Sequence, residues 1–130
     1  MGKAMKSNLE VVQSWYATVD RELIHPDIEW DVPEGYPAGG KYYGSRAVFE
    51  DYLPKLTAHF DSWTAKADQL LDAGDAIVGL GHYYGRVKGS EQEFAIPFAH
   101  VWWVRDGKIV KTQGYADTLT LHRYIKGLAE

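Results

Sequence analysis

Four polar side chains in the last third of the chain have the right chemistry for proton transfer: His100, Gln113, Tyr115 and Asp117. A histidine or a carboxylate accepts or donates a proton, and an amide or a phenol can hold a ligand by hydrogen bonds. We expect Asp117 to be a general base and His100 to donate to, or polarise, a carbonyl oxygen. The alternative is that His100 is a hydrogen-bonded core residue and that Asp117 caps the helix that follows it.

These residues lie in a segment, Phe94 to Asp117, that predicts a long β-hairpin. Two runs rich in β-branched and aromatic residues flank an Asp-Gly step at 106–107, which supplies the positive φ angles of a tight turn. Successive side chains in a strand point to opposite faces. His100 therefore shares a face of the first strand with large apolar residues, and the other three candidates share one face of the second strand.

The opposite face of the hairpin is also apolar. It carries Val101, Trp103 and Val110, and we assign Tyr83 of the preceding strand to it as well. A patch of this kind is rarely exposed on a monomer. The pattern predicts a homodimer that forms through this outer face of the sheet.

The composition limits the classes of function. At 130 residues with 45% hydrophobic residues, the chain suits one globular domain with a single core. A net charge of -4, without a basic cluster, excludes nucleic acid or an anionic membrane as partner. The absence of cysteine excludes disulfides and thiolate chemistry, and the histidines lack metal-ligand spacing, so we expect no metal and no cofactor. Without a signal peptide or a long apolar run, a cytoplasmic location is expected.

Aromatic residues make up 14% of the chain, which suits an aromatic-lined cavity. We expect an apolar pocket with few polar groups, the usual form of a small-molecule site. The expected ligand-binding residues are Tyr16, Trp30, Phe60, Phe98, Trp102, Gln113 and Tyr115.

Apolar spacing predicts helices in the first half of the chain and strands in the second. Residues 34–44, rich in glycine, proline and tyrosine, predict a loop of the kind that often forms a lid. Pro54 predicts a kink or restart in the helix that contains it. Met1 to Lys6 has no pattern and is expected to be a disordered or cloning-derived tail, so a single domain spans residues 7–130. The predicted order is a helix from Ser7, a short helix over 21–24, a strand over 28–32, the loop, a helix from Ser45, strands over 63–71 and 76–87, the hairpin, and a helix after Asp117.

Four segments carry a resemblance to a known superfamily: Ile28 to Pro33, Gly40 to Val48, Ala73 to Val78, and the hairpin. They resemble the NTF2-like and ketosteroid isomerase-like superfamily, and within it the SnoaL-like, or polyketide cyclase-like, branch. The resemblance implies an α+β, cone-shaped NTF2-like (cystatin-like) fold, in which a curved antiparallel sheet is wrapped by three main helices around a cavity. It also implies a small hydrophobic ligand in that cavity and pairing through the outer sheet face.

The same resemblance implies a cofactor-independent isomerase, cyclase or dehydratase that transfers a proton next to a carbonyl group of a steroid-like or polyketide-like substrate. The fold equally hosts non-catalytic ligand-binding proteins, so that alternative stays open. Ketosteroid isomerases carry their base after the first strand, where this chain has Val32 and where Asp31 is expected to point away. Their oxyanion-hole acid corresponds to the neighbourhood of His100, and their first-helix tyrosine to Trp15 or Tyr16.

Overall fold

The computed structural model describes residues 6–127 and shows an α+β domain, as the sequence predicts. Of the predicted tail, residues 1–5 lie outside the described range, and Lys6 Nζ donates a hydrogen bond to Ser14 Oγ (3.0 Å). The elements are α1 (Asn8–Thr18), a 3₁₀ turn (Arg21–Leu23), β1 (Ile24–Val32), β2 (Gly40–Tyr43), a composite α2 (Ser45–Ala47, Val48–Tyr52 and Leu53–Thr57), β3 (Phe60–Asp72), β4 (Ala76–Val87), β5 (Glu93–Arg105), β6 (Lys108–Ala116) and α3 (Thr118–Ile125).

The six strands form one sheet in the order β2-β1-β6-β5-β4-β3. Four of the strand pairs are antiparallel, as expected, whereas β1 and β6 run parallel. β2 occupies part of the segment that the sequence predicts as a loop. In β2 the alternation of buried and exposed side chains is limited to Tyr42, which is buried between exposed Lys41 and Tyr43. Four residues are too few for such a pattern to predict a strand.

Helix α1 begins as the sequence predicts. The hydroxyl of Ser7 accepts from the backbone N–H of Glu10 (3.2 Å), and the Glu10 carboxylate accepts from the backbone N–H of Ser7 (3.0 Å). This capping box satisfies two of the N–H groups that a helix start leaves unpaired. The helix packs Val12 and Trp15 against the sheet and ends at Val19, whose φ of 52° is left-handed.

Helix α2 confirms the restart expected near Pro54. A π-helical turn over Val48–Tyr52 precedes the second α-helical segment, and Pro54 lies at the start of that segment. Proline lacks the N–H that a continuous helix would use, so it is tolerated in a first turn and not in an interior. Tyr52, the last residue of the π-helical turn, is buried at 5% exposure.

The β5–β6 hairpin has the predicted turn but a different register. Asp106 and Gly107 have φ angles of 51° and 77°, as a two-residue turn requires. A bulge at Val110 then shifts β6 by one residue, so that His100 lies opposite Gly114. Because a shift of one residue exchanges the two faces of a strand, Gln113 lies on the face away from His100.

On β4 and β5 the faces of the sheet differ from the expected assignment at one residue. Val101 and Trp103 lie on the outer face, paired with Gln113 and Lys111. Tyr83 is 8% exposed and lies on the inner face, so its assignment to the outer face is wrong. None of the helices in residues 6–127 is long and apolar enough to cross a membrane.

Candidate functional site

A cavity of about 430 Å³ lies between the helices and the inner face of the sheet. Its wall is largely aromatic, and its size is that of a small-molecule site. The predicted lining residues Tyr16, Trp30 and Trp102 border it. Five residues that the sequence did not predict as ligand-binding complete the aromatic wall: Trp15, Tyr36, Tyr52, Trp63 and Tyr83.

Four side chains that border the cavity form a continuous chain of hydrogen bonds, which we call the His100 relay: Trp102, Tyr16, His100 and Tyr83. The indole N–H of Trp102 donates to the hydroxyl of Tyr16 (2.9 Å). A second bond joins that hydroxyl to Nδ1 of His100 (2.6 Å), and a third joins Nε2 of His100 to the hydroxyl of Tyr83 (2.5 Å). Both nitrogens of one buried imidazole are thus bonded to phenols that line the cavity.

Burial keeps the relay neutral. The loss of water around His100 lowers the pKa of its imidazole to about 3, because desolvation disfavours the charged form. Burial also raises the pKa of Tyr16 and that of Tyr83 well above the usual phenol value. At neutral pH the relay therefore consists of an uncharged imidazole and two protonated phenols.

Aromatic stacking fixes the orientation of the imidazole. The ring of Phe98 lies 3.8 Å from that of His100 with an interplanar angle of 9°, and the ring of Tyr16 is parallel to it at 5.8 Å. Phe98 thus supports His100 from behind the cavity wall. Phe60, also a predicted ligand-binding residue, packs in the core against Trp63 (4.6 Å).

Two glycines flank His100 in register, Gly79 on β4 and Gly114 on β6. They leave the inner face free of Cβ atoms on both sides of the imidazole. A Cβ at Gly79 would lie 2.4 Å from the hydroxyl of Tyr16, a distance that real Cβ contacts do not reach. The absence of a side chain at Gly79 is therefore what lets Tyr16 reach His100.

Asp117 does not join the relay. Its carboxylate accepts from the backbone N–H of Thr120 (3.1 Å) and from the Thr120 hydroxyl (2.7 Å), as the N-cap of α3. These hydrogen bonds lower its pKa, and the residue is exposed. Asp117 thus takes the capping position that the sequence left open as the alternative.

Gln113 and Tyr115 bond to each other and not to His100. The amide of Gln113 donates to the hydroxyl of Tyr115 (2.6 Å). Tyr115 borders the cavity but is 53% exposed. The bulge in β6 separates this pair from the relay by placing it on the other face of the sheet.

Tyr36 and Tyr83 are the functional candidates that sequence reasoning missed. A signal for Tyr83 was present, since Gly79 and Gly81 share its face of β4, and glycines within a strand mark the close approach of other groups to that face. Tyr36 lies in the loop between β1 and β2, where no periodicity assigns a face. Its backbone is held by bonds within the loop, and His122 of α3 bonds to the carbonyl oxygen of Gly35 (2.6 Å).

Tyr36 also carries an unpaired polar atom. Its hydroxyl is buried and has no hydrogen-bond partner among residues 6–127. Burial, and after it the neighbouring Tyr83 and Tyr52, raise its pKa well above the usual phenol value, so the group stays protonated. A buried unpaired hydroxyl costs about 1–3 kcal/mol and calls for a partner.

One acidic residue, Asp31, occurs among the described residues that border the cavity. It lies between the buried residues Trp30 and Val32 on β1 and is itself half-exposed. Its strand partners are Lys41 and Gln113, so alternation places its side chain on the outer face, as the sequence predicts. The inner wall therefore presents neutral hydrogen-bonding groups.

Solved structures with the same fold include three informative neighbours. An NTF2-like protein from Burkholderia thailandensis is 30% identical (TM-score 0.83), with 93% of this chain and 98% of that chain covered. TerC, co-crystallised with polyporic acid, is 27% identical (TM-score 0.81; 92% and 98% covered). A protein with a ketosteroid isomerase-like fold from Catenulispora acidiphila, in complex with trimethylamine, is 21% identical (TM-score 0.70; 84% and 86% covered).

The family comparison covers most of the domain. No curated protein matches the chain. The SnoaL-like domain family matches residues 14–112, which include the second half of α1, β1 to β5, the first part of β6 and all four residues of the His100 relay. The predicted NTF2-like fold is confirmed by the solved structures. The chain therefore belongs to the SnoaL-like family of NTF2-like proteins.

Proposed function

We propose that the chain binds a small apolar carbonyl compound in the cavity and promotes proton transfer at the carbon next to the carbonyl group. The observation that carries this proposal is the His100 relay, a set of neutral hydrogen-bond donors on one wall of an aromatic cavity. The reaction class is a cofactor-independent isomerisation, ring closure or dehydration. Membership of the SnoaL-like family supports it.

The relay suits the oxygen of such a substrate. Removing a proton beside a carbonyl group moves negative charge onto the carbonyl oxygen. Donors that are already oriented in a water-poor site stabilise that charge, and one such donor is typically worth about 10²–10³ in rate. Since His100 is neutral, it can orient a phenol or donate a hydrogen bond, but it does not supply a positive charge.

The proposed substrate class also depends on which group can accept the proton. Our proposal assigns no chemical role to Asp117, because its carboxylate caps α3. With neutral groups on the described inner wall, the proton passes to a water molecule that enters with the substrate and returns to carbon from water in the same way. The site therefore suits a substrate whose C–H bond is already acidic, such as a carbon between a carbonyl group and a second electron-withdrawing group. Polyketide-like compounds contain such carbons. The co-crystal of TerC with polyporic acid supports a small organic ligand for this fold.

A second candidate is a binding protein that carries or senses the same type of ligand without changing it. The position of Asp117 favours this candidate, because it removes the expected base from the cavity. In that case the relay orients the ligand oxygen and no rate enhancement follows.

Hydrogen–deuterium exchange separates the two candidates. The probe is 2-tetralone in D₂O, whose C1 hydrogens lie between a ketone and an aromatic ring, followed by proton NMR. We expect the protein to accelerate exchange at C1, and His100→Phe to reduce that acceleration by about 10²-fold. Asp117→Asn, the matched control, should stay within a few fold of the parent protein.

The outcomes differ for each candidate. Binding of 2-tetralone without accelerated exchange selects the binding protein. Exchange that survives in His100→Phe but is lost in Asp117→Asn would overturn the role of the relay. No binding of 2-tetralone or of larger apolar ketones, together with stabilisation by polar metabolites, would overturn the ligand class.

We also propose a homodimer through the outer sheet face. Val101 and Trp103 supply apolar area there, and Lys111 Nζ lies 5.1 Å from the ring of Trp103. Sedimentation at micromolar concentration should give a dimer, and Trp103→Glu should shift it towards the 14.7 kDa monomer. A parent protein that sediments as a monomer would contradict this proposal.

A further inference from the structure

The relay contains one more donor hydrogen than it uses. The indole of Trp102, the phenols of Tyr16 and Tyr83, and the neutral imidazole of His100 carry one donor hydrogen each. Three hydrogen bonds link these four groups. One hydroxyl hydrogen, on one of the two tyrosines, is therefore left for another acceptor.

The surroundings of Tyr16 decide which tyrosine has it. The Tyr16 oxygen already accepts from Trp102 and lies 2.6 Å from Nδ1 of His100. On its remaining side it packs so closely over Gly79 that a Cβ would come within 2.4 Å. The acceptor available to the Tyr16 hydrogen is thus Nδ1. His100 then carries its own hydrogen on Nε2 and donates it to Tyr83, whose hydroxyl hydrogen remains free.

A second unused donor lies beside Tyr83. The rings of Tyr36 and Tyr83 are 5.6 Å apart, and the buried hydroxyl of Tyr36 has no partner in the described part of the chain. Both phenols stay protonated, since burial raises the pKa of each. The hydroxyl groups of Tyr36 and Tyr83 also affect each other's pKa, which places them close together, and two neighbouring donors are complementary to one oxygen atom with two lone pairs.

We propose that Tyr83 and Tyr36 are the residues that donate to the ligand oxygen, and that Tyr16, Trp102 and Gly79 act through His100 as positioning residues. This inference rests on the proposed ligand class. It adds the polarity of the relay, by which we mean the direction in which each of its hydrogen bonds is donated. Trp102 holds Tyr16, Tyr16 fixes the Nε2–H form of His100, and that form makes Tyr83 a donor towards the cavity. The matching ligand group is a ketone or enolate oxygen.

The first test is made on the free protein, so neither the parent protein nor its variants have to bind a ligand. In ¹⁵N NMR of the imidazole side chains, His100 is assigned by the signals lost in His100→Phe. We expect the Nε2–H tautomer in the parent protein, and a shift towards Nδ1–H in Tyr16→Phe, where Tyr83 becomes free to donate to Nε2. An Nδ1–H tautomer in the parent protein would overturn the proposal, because Tyr16 would then hold the free hydrogen.

The second test compares two ligands of equal shape, 2-acetylnaphthalene and 2-isopropenylnaphthalene, in which a carbonyl oxygen is replaced by a CH₂ group. Binding is followed by quenching of tryptophan fluorescence. We expect the parent protein to prefer the ketone by about tenfold, as one or two neutral hydrogen bonds allow. Tyr83→Phe should remove most of this preference and Tyr36→Phe part of it, while affinity for the hydrocarbon stays within about twofold.

The two proposals fail differently. Equal binding of both compounds by the parent protein would overturn the proposed ligand class, and the tautomer of His100 would still decide the polarity of the relay. A ketone preference that survives Tyr83→Phe but disappears in Tyr16→Phe would overturn the assignment of Tyr83. As a control for folding, Tyr36→Phe should keep or raise the melting temperature of the parent protein, because it removes a buried hydroxyl that has no hydrogen-bond partner in the described part of the free protein.

Discussion

The sequence predicts His100 and Asp117 as the catalytic pair of one site, but the structure places His100 in the cavity wall and Asp117 on the surface. Both have a lowered pKa. Burial lowers that of His100 and makes the imidazole neutral, whereas hydrogen bonds from Thr120 lower that of Asp117 and keep the carboxylate charged. The same direction of shift thus gives opposite charge states. The neutral imidazole of His100 therefore lies in the cavity, and the charged carboxylate of Asp117 lies on the surface. The inner wall of the cavity thus offers neutral hydrogen-bond donors.

Among substitutions that distinguish the cavity around His100 from the surface around Asp117, we expect the largest effect on stability at Gly79. Gly79→Ala forces the Tyr16 hydroxyl away from His100, because the new Cβ would overlap it. We expect a loss of about 2–3 kcal/mol in the free energy of unfolding, typical of overpacking a buried site. Urea unfolding measures it. Gly114→Ala, on the other side of His100, is the matched control, since its Cβ would lie 3.4 Å from the imidazole and cost less.

A double variant that combines Tyr16→Phe with Gly79→Ala tests the cause. Removing the hydroxyl removes the atom that the new Cβ meets most closely, so the cost of Gly79→Ala should fall by more than half when Tyr16→Phe is already present. Equal costs with and without Tyr16→Phe would mean that the alanine acts on the strand itself and not on the hydroxyl.

The next effect is the pH dependence of stability. The pKa of His100 is about 3 when folded and near 6.5 when unfolded, so the unfolded chain binds more protons between these values. Its contribution to stability is complete above pH 6.5 and is lost as the pH falls towards 3, by about 2 kcal/mol at pH 5. Urea unfolding of the parent protein and of His100→Phe should diverge in slope over this range. Parallel pH profiles would mean that His100 titrates normally in the fold.

The smallest effect is expected at the cap. Asp117→Ala should cost about 1 kcal/mol by leaving N–H groups of α3 unpaired, and Asp117→Asn should cost less because asparagine also caps. Neither change should alter binding of 2-acetylnaphthalene, as measured by fluorescence quenching. A loss of ketone affinity in Asp117→Asn would bring Asp117 back into the site.

Much of the fold could be predicted from local patterns. The capping box at Ser7, the Asp-Gly turn and the strand of residues 76–87 depend on neighbours in sequence, and each is found as predicted. The sequence also predicts the correct face for His100, because alternation within one strand is local.

The partners of His100 could not be predicted in the same way. One bulge residue, Val110, reverses the face of everything after it in β6, and no composition signal marks it. Tyr83 was assigned to the wrong face, and Tyr36 lies in a segment without periodicity. Two of the three contacts that assemble the relay, those of Tyr16 with His100 and with Trp102, join residues more than eighty positions apart in the chain and depend on how α1 packs on the sheet.

The carbonyl stretching frequency of 2-acetylnaphthalene bound in the cavity tests the central claim most directly. Hydrogen bonds from Tyr83 and Tyr36 weaken the C=O bond, so infrared difference spectra with ¹³C-labelled ketone should show a lower frequency than in an alkane solvent. In Tyr83→Phe the frequency should move back towards the alkane value. A bound ketone that already absorbs at the alkane frequency in the parent protein would contradict the account, because its oxygen would then meet no donor.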